Sequence, residues 1–175
     1  MYSCRCLNQV LADTQILYGL YKKYHWIIGG ATFCPLNLLL DKHAADQLAF
    51  VDTLAERVQT LGGVAVGDPR HVAEITSVPR PPDGVKELPA MLSRLLEAHE
   101  TMLAYAHDAA ARAAELGDDG TNDLLISPVV RAGELQPGSW STRRSSAPEP
   151  ARPGRARRPR PRAEPGPGDL KCPSL

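Results

Sequence analysis

The 175-residue sequence predicts an all-α protein, a four-helix bundle with an unequal fourth helix. Three observations carry that prediction. Residues 36–61 run without a helix breaker and stop at Gly62-Gly63. Two flanking stretches, 7–26 and 85–116, repeat apolar residues at three-and-four spacing. A shorter run, 124–136, follows a polar turn and ends at Pro137-Gly138. At 1.5 Å per residue the central helix is roughly 39 Å long, more than an average soluble helix.

In the first helix, Leu7, Val10, Leu11, Leu17, Tyr18, Tyr21 and Tyr24 form the apolar face. His25 lies in its last turn, where a histidine ordinarily packs or caps. Trp26 is most simply a core residue. The second helix opens near Pro35, which a first turn tolerates, and closes at glycine, which suits a left-handed cap. Its apolar stripe comprises Leu40, Ala44, Leu48, Val51, Ala55 and Val58. His43 falls far from the acidic side and is expected to pack in the bundle. Residues 64–84 form a connector rich in proline, with a short helical run over 70–77. The third helix spans 85–116, and Pro89 requires it to begin about there. His99 and His107 fall on or near its Ala-rich inner face and read as structural. In the turn 117–123, Thr121 is a good N-cap, and Asp118, Asp119 and Asp123 suit the positive end of a helix dipole. The fourth helix carries Pro128 near its start and is truncated, leaving part of a bundle core uncovered.

The formal net charge of zero hides a division. Residues 137–175 carry a net +6 and residues 1–136 a net −6. The C-terminal segment is low in complexity, rich in Pro, Arg, Gly, Ser and Ala. It cannot bury a core and is expected to be disordered. It has two readings. A basic arm would bind DNA phosphates through counterion release. Alternatively, a sudden change to residues with GC-rich codons is what a changed reading frame in a GC-rich gene would give. The cysteines, Cys4, Cys6, Cys34 and Cys172, are scattered and indicate neither a zinc site nor a disulfide framework. No hydrophobic run is long enough for a membrane span and no signal-peptide core is visible, so the chain reads as soluble and cytosolic.

On the second helix Asn37, Asp41, Asp52 and Glu56 form a ridge beside the apolar stripe, with Ala45 and Ala49 among them. Acids on the polar side of an amphipathic helix are ordinarily just solvated. Geometry adds a second reading. Asp41 and Asp52 are about 16 Å apart along the axis. Metal–oxygen bonds are roughly 2 Å, so one helix cannot chelate one ion through both. A second copy, antiparallel across a twofold axis near Asp46 and Gln47, would set Asn37 and Asp41 opposite the partner's Asp52 and Glu56. His25 could then join a site shared between subunits. The small alanines would let the two helices approach closely.

The stretches Tyr24-His25-Trp26, Asp41, Asp52-Thr53-Leu54-Ala55-Glu56-Arg57 and Leu61-Gly62-Gly63 resemble the signature of the Dps family, miniferritins that protect DNA in starved cells. The resemblance covers about residues 7–136. It implies a ferritin-like four-helix bundle with a short helix between the second and third, assembled as a shell of twelve. It implies a di-iron ferroxidase site between subunits, ligated by His25, Asp41, Asp52 and Glu56 and lined by Trp26. The implied chemistry is oxidation of Fe(II) by peroxide or oxygen and storage of the product. Asn37 stands where the family usually has a second histidine. The acidic turn of Asp118, Asp119 and Asp123 matches the place of the family's pores for iron entry. A cytoplasmic protein is expected, one that could associate with the nucleoid. The alternative is a DNA-binding shell with weak or no ferroxidase activity, acting through its tail.

Overall fold

The computed structural model describes residues 2–28, 33–84 and 87–130. They form α1 (Tyr2–Ile27), α2 (Phe33–Thr60), α3 (Pro69–Ile75), α4 (Leu88–Glu115) and α5 (Asp119–Leu124). The last helix continues as wider π-helical turns over Leu125–Val130. Pro128 sits inside those turns and has no amide hydrogen to give, so a regular α-helix is interrupted there. The expected residues 131–136 of the fourth helix and the tail 137–175 lie outside the described residues. No helix among the described residues is long and apolar enough to cross a membrane.

Helix α1 packs on both α2 and α4, and α4 packs on α5 and the π-helical turns. The expected faces meet in the core. Leu7, Val10, Leu11, Leu17, Tyr21 and Tyr24 of α1 are buried, as are Met91, Leu92, Leu95, Met102 and Ala106 of α4. The core also takes polar side chains: Asp13, Thr14, His43, Gln47 and His99. His43 and His99 therefore pack inside the bundle, as expected.

Two expectations about burial are corrected. Trp26 is 71% exposed, because Tyr24 and Ile28 take the inward positions at the end of α1. Leu48 is 47% exposed, because α2 turns His43, Gln47 and Leu54 inward instead. An apolar stripe drawn from hydrophobicity alone misses polar residues that bury, so its centre is displaced.

Helix ends follow local chemistry. Gly62 has a φ of 76°, a conformation that suits glycine, and ends α2 with the Gly63 amide donating to the Val58 carbonyl at 2.9 Å. Pro89 lies in the first turn of α4, as its missing amide requires. Side chains of α1 hold the connector. Asn8 donates to the Val64 carbonyl and accepts from the Val66 amide, both at 2.9 Å. Gln15 donates to the Val66 carbonyl at 3.0 Å. The buried carboxylate of Asp13 accepts from the Ser77 amide, the Ser77 hydroxyl and the Thr76 hydroxyl, each at 2.7 Å. These bonds fix α3, whose N-cap is Asp68, against the bundle.

Candidate metal centre

The end of α1 faces the start of α2, and His25 and Asp41 meet there. His25 Nδ1 is 3.5 Å from Asp41 Oδ1 and 3.4 Å from the Asn37 carbonyl oxygen. The carbonyl suits an Nδ1–H tautomer, which leaves the Nε2 lone pair available to a metal. Lys22, one helical turn before His25, reaches the same carboxylate, with Nζ donating to Asp41 Oδ1 at 2.6 Å. That hydrogen bond is the main reason the Asp41 carboxyl sits below its usual range, against an opposing effect of desolvation.

Asn37 is not at the helix start. Helix α2 begins at Phe33, four residues earlier, so Asn37 does not cap it. Its Nδ2 instead donates to the His25 carbonyl at 3.1 Å. That carbonyl is among the last of α1 and has no partner within its own helix. Asn37 is therefore a bridge between the two helices.

Asp52 and Glu56 lie further along α2, both exposed, one turn apart. They line a shallow opening with Ala55, Gln59, Gly63, Val64 and Ala65. The protomer thus pairs His25 with Asp41 and Asp52 with Glu56, and does not bring the two pairs together. Among the described residues, no three His, Cys, Asp or Glu side chains gather to hold a metal. The apolar residues Trp26, Leu38 and Leu48 are exposed; Leu38 and Leu48 share α2's outward side with the acidic ridge.

At the other end of α2, Arg57 reaches the acidic turn. Its guanidinium donates to Asp118 at 2.6 Å and to the Thr121 hydroxyl at 3.1 Å. Asp118, not Thr121, is the N-cap of α5, accepting from the Thr121 amide at 3.1 Å. The reason is that Thr121 is buried and its hydroxyl is engaged by Arg57. Burial would raise the Asp118 carboxyl, but hydrogen bonds from Ser3, Thr121 and Arg57 outweigh it and hold it at about 2. Asp119 and Asp123 are exposed on the same turn.

Residues 5–134 match the ferritin-like domain family. The fold superimposes on DpsC from Streptomyces coelicolor with a TM-score of 0.82 and 68% identity, covering 85% of this chain and 86% of that one. The chain belongs to the Dps family. A second relative, the nutrient stress-induced DNA-binding protein of Synechococcus sp., is 34% identical over 131 residues, 75% of this chain and 74% of its own. A Dps structure from Vibrio cholerae, described as one of the ferritin-like diiron-carboxylate proteins, gives a TM-score of 0.74 at 25% identity, over 80% of this chain and 87% of that one.

Sequence reasoning missed two residues of this Dps chain that touch the predicted site residues, Lys22 and Arg57. Lys22 had a visible signal. It precedes His25 by three positions and so shares its helix face. Arg57 stands in the stretch that carries the family resemblance, but nothing in the sequence indicated its partners, which lie more than sixty residues away.

Proposed function

We propose that this Dps protein oxidises and stores iron, and so protects DNA from peroxide and Fe(II). The observation that carries the reading is the division of the donors along α2, with His25 supplied by the end of α1. His25 and Asp41 stand together at one end, and Asp52 and Glu56 stand about 16 Å along the helix. Imidazole and carboxylate donors suit iron. Two antiparallel copies of α2 would complete the set twice. Exposed Leu38 and Leu48, with small Ala45 and Ala49 between the acids, suit that face to close contact with a second copy. The Vibrio relative's diiron-carboxylate class supports iron as the substrate. We read the assembly as a cytoplasmic shell of twelve, with Asp119 and Asp123 facing its entry pores and Asp118 holding the turn that carries them.

The test is peroxide-driven oxidation of Fe(II) by the assembled protein and by Leu48→Arg, which places a charge on the contact face. Oxidation should fall with assembly. A folded monomer that oxidises at the full rate would refute a site shared between subunits.

A second reading is favoured by charge. Residues 137–175 carry +6 on a chain whose remainder carries −6. As a unit separate from the bundle of residues 1–136, this arm would bind DNA phosphates, and removing it would leave a surface that repels them. A gel shift across a salt series, with and without residues 137–175, tests it. Unchanged affinity after deletion excludes the tail as the DNA-binding element.

A further inference from the structure

His25 and Asn37 hold each other across the gap between α1 and α2. Nδ2 of Asn37 donates to the His25 carbonyl at 3.1 Å, and His25 Nδ1 lies 3.4 Å from the Asn37 carbonyl oxygen. Each residue thus offers its side chain to the other's backbone. A carbonyl can only accept, so the amide nitrogen of Asn37 must face it. The ring contact is long for a hydrogen bond, and the amide bond is the firmer half. Asp41, one turn after Asn37 on the same helix face, places Oδ1 3.5 Å from the same Nδ1. Both of these neighbours of Nδ1 are acceptors, which favours a proton there and keeps the lone pair on Nε2. The His25 side chain is 21% exposed, so the ring is not sealed in the core.

We propose that Asn37 is a positioning residue for His25: it clasps the last turn of α1 so that the imidazole is held in one tautomer, with Nε2 left to take a divalent cation. This rests on the reading of His25 as a metal ligand. His25 is third from the end of α1. Helix ends fray, and a histidine on a fraying turn samples several ring positions and both neutral tautomers. Groups that fix the orientation and tautomer of a ligating histidine are worth about 10–100-fold in metal affinity. Asn37 therefore contributes to binding without giving the metal a donor. An imidazole at position 37 would bring a donor of its own, so the clasp is isolated only by side chains that cannot ligate.

The experiment is calorimetric titration of the assembled full chain with Zn(II), a redox-inert probe, together with the visible spectrum of Co(II) bound to the same proteins. The proteins are the original, Asn37→Ala, His25→Ala and the double variant. Each is checked for oligomer size, and Asn37→Leu replaces Asn37→Ala if that variant does not assemble. Asn37→Ala should weaken Zn(II) binding about tenfold and move the Co(II) spectrum in the direction that His25→Ala moves it. In the His25→Ala background it should change neither, because it acts through His25. Unchanged Zn(II) affinity in Asn37→Ala, with His25→Ala still weakening it, overturns the proposal and leaves the ligand assignment standing. An equal loss in both backgrounds also overturns it, because Asn37 would then act on the metal without His25. Failure of both Asn37 variants to assemble overturns it too, since the clasp would serve the fold rather than the ligand. If His25→Ala itself leaves Zn(II) binding and the Co(II) spectrum unchanged, the ligand assignment fails and the role of Asn37 falls with it.

Discussion

The hydroxyl of Tyr21 and Nε2 of His99 lie 2.5 Å apart inside the bundle, joining α1 to α4. The Tyr21 ring also meets His43 of α2 edge-on, with centroids 5.4 Å apart. Three long helices thus share one buried polar contact. Desolvation pushes the His43 and His99 imidazoles down to about 4. Asp46 partly offsets this at His43, while Lys42 reinforces it there and His43 reinforces it at His99.

The sign of the pH dependence follows. Unfolded histidines protonate near 6.5, whereas the buried pair stays neutral to about 4. The unfolded chain therefore binds more protons between those values, and stability falls as pH drops through that window. Each histidine contributes a slope of up to about 1.4 kcal/mol per pH unit. Urea unfolding at pH 7.5, 6, 5 and 4.5 should show this decline. His43→Phe keeps a ring against Tyr21 and removes one titrating group, so its decline should be shallower. A stability independent of pH between 6.5 and 4.5 would show that these histidines do not bear on folding.

Asp13 supports the second prediction. It is fully buried and accepts three hydrogen bonds of 2.7 Å from Thr76 and Ser77. Asp13→Ala would leave those donors without their acceptor, at a cost of about 1–3 kcal/mol. Thermal unfolding of Asp13→Ala should come several degrees earlier, and proteolysis should cut first in the connector. An unchanged Tm would mean that the connector is held by Asn8 and Gln15 without Asp13.

Much of this fold was legible because periodicity and breakers act locally. Gly62 ended α2, Pro89 marked the start of α4, and Leu7, Val10, Leu11, Leu17, Tyr21 and Tyr24 of the expected α1 face are buried. What was illegible depends on partners distant in sequence. Thr121 and Asp118 are both good caps, and only Arg57 decides between them. Trp26 and Leu48 are apolar yet exposed in the protomer. A helical wheel cannot distinguish a face buried by its own bundle from one suited to a second copy. For the same reason the spacing of Asp41 and Asp52 suggested a shared site, while the bond from Asn37 to the His25 carbonyl required the structure.

Arg57 gives the third prediction. Its contacts with Asp118 and Thr121 are the side-chain tie between α2 and the turn that starts α5. Asp118 is held at about 2, below its ordinary 3.8, so its contribution is complete above pH 3.8 and is lost as pH falls through 2. This window lies below that of the histidines. Arg57→Ala should raise amide exchange at Asp119 and Gly120 and lower stability by roughly 1–3 kcal/mol, because a partly buried carboxylate loses its cation. Protection unchanged at those amides would mean that the cap alone fixes the turn.

Asn37 supplies the fourth. Its amide offers a metal a weaker donor than imidazole, and its nitrogen is already committed to the His25 carbonyl. Asn37→His supplies an imidazole nitrogen at the position where the resemblance to the family places a second histidine. It also removes the bond that closes the end of α1, at a cost of about 0.5–1.5 kcal/mol. The two effects separate experimentally. Iron affinity and the rate of peroxide-driven oxidation should rise at low iron, while thermal stability falls slightly. The comparison requires both proteins at the same oligomer size, because the site is proposed to need two copies. Faster oxidation with lower stability supports a site short of one donor. Equal rates in two equally assembled proteins would mean that the missing histidine is immaterial, or that the chain no longer performs iron chemistry.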